Sequence, residues 1–242
     1  MSEELWSLCS LVKKWEKKMR LLKNRDTIGW LSFVFMLASI YMVFVYAPPD
    51  KELGDVQRIF YFHVSSAWIG FLAFFLVFLA SILYLKKRTR RWDILAYSSA
   101  EIGVILTTLV LITGSIWAKP IWYTWWTWDA RLTTTLVLWL IYVAYLMLRS
   151  YTEGLRGARF AAVFAILGFI DVPVVFMSIR WWRTQHPGPV IEGGKGAGLA
   201  PSMLYTLFVC LTAFTLLFIY LLLLRTKLET IRDEIDHFKR GD

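Results

Sequence analysis

The sequence predicts an all-α polytopic membrane protein with six transmembrane helices, and three observations carry that prediction. The first is composition: 57% of the 242 residues are hydrophobic and the mean hydropathy is +0.52, outside the range of ordinary soluble domains. The second is length, because six apolar runs, at 28–46, 64–85, 98–116, 132–148, 160–178 and 203–224, reach the roughly 17 to 25 residues that a helix needs to cross the hydrocarbon. The third is charge placement. Of the 27 Lys and Arg residues, 20 fall before the first run, after the second, after the fourth and after the sixth, and only 7 fall in the other three links. Basic residues near helix ends are retained on the cytoplasmic side, so both termini are expected to be cytoplasmic and the links at 47–63, 117–131 and 179–202 to face outward.

The elements follow in chain order. Residues 1–27 place Leu5, Leu8, Val12, Trp15, Met19 and Leu22 at three- and four-residue steps with lysines between them, the pattern of an amphipathic helix lying on the inner leaflet. The run 28–46 is too long for a signal core and no small-residue cleavage site follows it before Ala47-Pro48-Pro49, so it is expected to stay as the first of six helices in a membrane domain over 28–224. Residues 225–242 form a cytoplasmic tail in which Glu229, Arg232, Asp233, Glu234 and Asp236 alternate in sign like a solvated helix. Glu101, near the inner end of the third helix, reads as structural. The net charge of +9 is a topology signal that suits anionic membrane lipid and gives no reason to expect nucleic-acid binding. Cys9 and Cys210 lie far apart, with no Cys-x-x-Cys pair, so neither disulfide nor thiol chemistry is indicated.

The link 117–131 contains AKPIWYTWWTWDAR, with Trp122, Trp125, Trp126 and Trp128 beside Asp129 and Arg131. One or two aromatics suffice to anchor a helix at a bilayer surface. Four indoles in seven residues suggest a platform for something flat and apolar. Of the three histidines, His237 is a tail residue, whereas His63 and His186 fall on the same outward side as the tryptophans. Two neutral imidazoles suit a metal with two open axial positions, and indoles suit the ring system around it, which together describe haem. Each residue also has a plainer reading. A lone interfacial His is commonly a half-solvated polar group, and Trp68, Trp117, Trp181 and Trp182 serve equally as interface anchors. Arg131 could hold a carboxylate such as a propionate through its planar fork. Asp129 is better read as the cap of the fourth helix. Asp171, two residues before Pro173 inside the fifth run, either orients a histidine or repairs the kink that the proline imposes.

With those residues in view, the chain resembles the tryptophan-rich WWD family of haem-handling proteins, and within it the CcmC (haem exporter protein C) family of cytochrome c maturation. The likeness covers nearly the whole chain: PPD at 48–50, RIFYFHVSSAW around His63, KPIWYTWWTWDARLT, and DVP at 171–173 running into SIRWWRTQHPGP around His186. What the resemblance implies is haem b (iron protoporphyrin IX) held at the outer face of a bacterial inner membrane. His63 and His186 would be axial ligands and the WWD link would lie against the porphyrin. Delivery would be to the haem chaperone CcmE, which bonds the haem through a histidine at one vinyl group. The ABC subunits CcmA and CcmB and the small membrane protein CcmD are the implied partners. The chain has no Gly-x-x-x-x-Gly-Lys-Ser/Thr motif of its own. Nor does the resemblance call for a catalytic side chain; fixed orientation is enough, so the chain reads as a transfer protein more than an enzyme. Where the family usually has Gly, this chain has Tyr123, which resists the positive backbone angle that Gly would permit. Arg183 is a further candidate for a propionate. A membrane b-type cytochrome, or a transport subunit for another apolar substrate, are the alternative readings.

Overall fold

The computed structural model describes residues 25–152, 154–188 and 199–240, so the amphipathic segment expected over 1–27 lies almost entirely outside it, as does Cys9. Among the described residues the elements are α1 (Arg25–Tyr46), α2 (Arg58–Lys87), α3 (Arg90–Trp122), α4 (Ala130–Tyr151), α5 (Gly154–Gly168), α6 (Asp171–Trp181) and α7 (Pro201–Arg240). α5 and α6 share one span, so six helical spans are long and apolar enough to cross a membrane, as the sequence predicts.

The helices outrun the apolar windows, and this changes two boundaries. α3 continues through Trp122 and α4 begins at Ala130, so the tryptophan link expected at 117–131 narrows to 123–129. The tail expected after residue 224 is the continuation of α7. Hydropathy marks only the stretch that lipid would accept, whereas backbone hydrogen bonding carries a helix until a cap stops it.

α2 and α3 form a central antiparallel pair. On one side Phe74, Val77 and Ala80 of α2 and Ala96 and Ala100 of α3 pack with Leu138, Tyr142 and Tyr145 of α4, Ala161 and Ala165 of α5 and Val175 of α6. On the other, Ile69, Ala73, Ile102 and Leu106 meet Phe214 and Phe218 of α7. The small residues let the backbones approach, the usual solution where lipid is as apolar as the core. A Cβ on Gly103 would lie 2.6 Å from the Phe74 ring. That ring stacks on Tyr142 with centroids 3.8 Å apart, linking all three helices.

The fifth span breaks at Phe169–Ile170, where the Phe169 carbonyl takes Val172 N–H at 3.0 Å. Pro173 supplies no amide for a helical bond to that same carbonyl, four residues back, and its ring crowds it, which is why the break falls there. Asp171 opens α6 with Oδ2 buried and unpartnered. It therefore stands at the kink, while each histidine Nδ1 bonds another residue.

At the basic end of the bundle charge is paired. Asp93 of α3, 4% exposed, meets Arg149 of α4, 9% exposed, at 2.8 Å and also Arg90. Arg90 reaches Asp233 at 2.9 Å, and Arg225 joins Glu101 to Glu229. Glu101 is thus structural, and α7 is held against α3 by Asp233 on Arg90 and by Arg225 on Glu101. Removing one member of a buried pair strands the other charge. Asp93→Ala is expected to cost about 3–5 kcal/mol, read as a lowered thermal unfolding midpoint in detergent, with Asp93→Leu/Arg149→Met recovering most of the loss.

Candidate functional site

The site is assembled at the opposite end, where α2 starts, α3 ends, α4 starts and α6 ends. α2 is set by the segment before it. Asp50 Oδ1 accepts the amides of Glu52 and Leu53, both at 2.9 Å, closing a turn after Pro48-Pro49. The last turn of α1 is a π-helix over Met42–Tyr46, and Arg58 donates to the Val43 and Ala47 carbonyls there. The PPD and Arg58 segments thereby fix where α2 begins, with His63 half-buried in its second turn.

His63 Nδ1 lies 3.0 Å from Thr113 Oγ1 on α3. The Thr113 hydroxyl donates to the Leu109 carbonyl at 2.6 Å, so its single proton is spent. With that proton on the Leu109 carbonyl the hydroxyl accepts from His63, the arrangement that protonates Nδ1 and leaves the Nε2 lone pair for a ligand. Beside it a Cβ on Gly114 would come within 3.2 Å of His63 Cε1, so this position has to be small.

His186 sits in the link after α6. Its Nδ1 faces the Pro187 carbonyl at 2.9 Å, and a carbonyl only accepts, so here too Nδ1 carries the proton and Nε2 is bare. Burial pushes the His186 pKa below the ordinary imidazole value, and the nearby Arg131 guanidinium adds to this against the opposing Pro187 bond, keeping the ring neutral at pH 7. His63, His186 and Arg131 are within electrostatic reach of one another. Two distant links thus bring together two imidazoles in the same tautomer.

Asp129 ties the His186 link to α4. It caps α4 through a 2.9 Å bond from Arg131 N–H, as the sequence predicts. It also accepts Thr184 Oγ1–H at 2.7 Å and Gln185 N–H at 2.8 Å. Thr184 Oγ1 in turn accepts the His186 amide at 3.0 Å. Burial disfavours the Asp129 charge, but the bonds from Thr184, Gln185 and Arg131 outweigh it and hold the carboxyl below the ordinary range. Arg131 Nη1 donates to the Val175 carbonyl at 2.5 Å and to Phe176 at 3.3 Å, tying α4 to α6. The arm expected to be free for a propionate is in part committed to this brace.

The indoles do not form one continuous wall. Trp122 ends α3 and packs edge-on against Trp117 at 5.4 Å, and Trp126 packs edge-on against Trp128 at 5.9 Å. Lys119 Nζ lies 5.8 Å over Trp125, which is 57% exposed, and Trp128 is 78% exposed. Trp181 and Trp182 make a third edge-on pair, both exposed. The Trp126 Nε1 and Thr127 Oγ1 atoms are buried without partners, so this end offers polar atoms as well as apolar rings. Tyr123 adopts the left-handed conformation at φ 60°, the positive angle that its side chain disfavours. Sequence reading missed Thr113, Gly114 and Thr184, whose role appears only once α3 is laid beside α2 and the α6 link beside α4.

A family model described as "Heme exporter protein C" matches residues 13–240. A heme exporter protein C of Bradyrhizobium diazoefficiens is 38% identical over 212 residues, covering 86% of this chain and 80% of the relative. One from Haemophilus influenzae is 32% identical, covering 88% and 87%. A cytochrome c biosynthesis ccmC-like mitochondrial protein of Marchantia polymorpha is 34% identical, covering 77% and 79%.

Two outcomes follow from this geometry. Asp129→Ala removes a helix cap worth about 1 kcal/mol and releases Thr184 and Gln185, so trypsin should cleave after the exposed Arg183 markedly faster than in the parent protein. Tyr123→Gly removes a left-handed side chain, which costs roughly 1–2 kcal/mol, and part of that gain is lost to the greater freedom of unfolded Gly. The unfolding midpoint should therefore stay level or rise.

Proposed function

We propose that this chain, which belongs to the heme exporter protein C family, binds haem b at the outer, periplasmic face of a bacterial inner membrane and delivers it to the haem chaperone CcmE during c-type cytochrome maturation. The reading rests above all on the two imidazoles. His63 on α2 and His186 in the link after α6 each place Nδ1 against a protein oxygen, Thr113 Oγ1 and the Pro187 carbonyl, which keeps Nε2 available as a metal ligand. Among the described residues no three His, Cys, Asp or Glu side chains gather to hold an ion. A donor set of two imidazoles suits a metal that brings its own equatorial nitrogens, as haem iron does.

The remaining residues have roles this cargo would use. Trp125 and Trp128 offer exposed indole faces, Trp126 packs edge-on against Trp128, and Trp122 packs edge-on against Trp117 at the end of α3. Arg183 is exposed, and Arg131 lies close to both histidines, so these two are the cations nearest to hand for propionates. Asp129 serves the site by locking the tryptophan link to the His186 link. The chain contributes position and two imidazoles, and the partner chaperone supplies the reacting group. CcmA, CcmB and CcmD are the further partners that the family resemblance suggests.

Purified protein co-expressed with the chaperone should show a low-spin haem spectrum that weakens in both His63→Ala and His186→Ala. Unchanged haem content and unchanged transfer to the chaperone in the double variant would reject this assignment.

A further inference from the structure

We infer that Thr113 is a positioning residue for haem: its hydroxyl fixes His63 as the Nδ1–H tautomer and orients Nε2 toward the iron, an inference that rests on the two-histidine reading above. Three observations carry it. The hydroxyl has carbonyl acceptors for its own proton, Leu109 at 2.6 Å and Val110 at 3.3 Å, which turns its lone pair toward the ring. The ring nitrogen sits 3.0 Å from it. Gly114, the next residue of α3, leaves the space into which the ring edge fits, with His63 Cε1 3.2 Å from where a Cβ would be.

The two imidazoles differ in how they are held. His186 uses the carbonyl of its neighbour Pro187, a bond that travels with its own link. His63 depends on a side chain 50 residues away, on another helix. Without that acceptor the part-buried Nδ1 loses its 3.0 Å partner, and the ring is steadied on α3 only by its bond to the Val110 carbonyl, so the Nδ1–H tautomer is held less firmly. An acceptor on the outer nitrogen also raises the basicity of a ligating imidazole and stops the ring from turning, effects worth about 10–100-fold in metal affinity at such sites.

The test uses the full-length protein in detergent, loaded with haem. Thr113→Val keeps the shape and removes the acceptor, and Thr113→Ser restores it; Thr113→Ala replaces Val should Val fail to fold. Thr212→Val on α7, whose hydroxyl donates to Phe208 in the same manner but faces no imidazole, controls for loss of a helical hydroxyl. Haem loss to apomyoglobin should be roughly ten-fold faster in Thr113→Val, with a more positive reduction potential and altered low-spin electron paramagnetic resonance, all returning with Thr113→Ser. If His63→Ala loses the low-spin signal while Thr113→Val matches the parent in loss rate, potential and resonance, Thr113 has no positioning role and the haem reading stands. If His63→Ala itself leaves the signal intact, His63 is not a ligand and both fail.

Discussion

The site depends first on one carboxylate. Asp129 accepts hydrogen bonds from the first turn of α4 and from two groups of the α6 link, so a single side chain latches the start of α4 to the link that carries His186, beside the brace that Arg131 makes to α6. Because it is ionised and its oxygens are shared among several donors, each bond is charge-assisted and stronger than a neutral one. The cap that starts α4 is therefore also the latch that places His186. The tryptophan link between Tyr123 and Asp129 is short and fixed at both ends, by a left-handed residue on one side and by this latch on the other.

The same logic extends to the backbone around the site. Irregular turns at a membrane boundary leave carbonyls that water serves poorly, and each must be met by protein. Arg58 meets those at the π-helical end of α1, while Arg131 adds a bond to the Val175 carbonyl within α6. Within the helices Thr107, Thr108 and Thr135 return their hydroxyls to the preceding turn. Thr108 then accepts Trp139 Nε1 at 2.8 Å, and Thr113 does the same for His63. A threonine that has spent its proton on its own helix is an acceptor of known direction. The bundle uses that device once to join α3 to α4 and once to join α3 to α2.

The number of spans, their approximate places and the clustering of His63, His186, Asp129 and the indoles at one end were legible in the sequence, because hydropathy and residue type are local properties. The cap by Asp129 was legible for the same reason. Helix ends were less so: α3 runs to Trp122 because the aromatic residues after Pro120 continue its hydrogen bonding until Tyr123 turns the chain. Arg131 was expected to await an anion, yet it braces α6, a use visible only when the carbonyls of Val175 and Phe176 are known to lie beside it. Thr113 and Gly114 carry no signal in one dimension, since a Thr-Gly pair in an apolar run looks like ordinary helix packing. Their meaning comes from register between α2 and α3.

That register links the bundle's stability to its chemistry. α2 and α3 are the central pair, and the contacts that fix their rotation lie along their whole length, with Phe74 on Gly103 in the middle and His63 on Gly114 and Thr113 at the end. A side chain at Gly103 would push the helices apart and swing the imidazole from its acceptor, without touching the site. On the proposed reading, the ligand on α2 is thus anchored by the most deeply packed pair of helices. The ligand after α6 is anchored by a loop latch alone. The two imidazoles are thus held by different means, the first by helix packing and the second by the hydrogen bonds of Asp129 and Thr184.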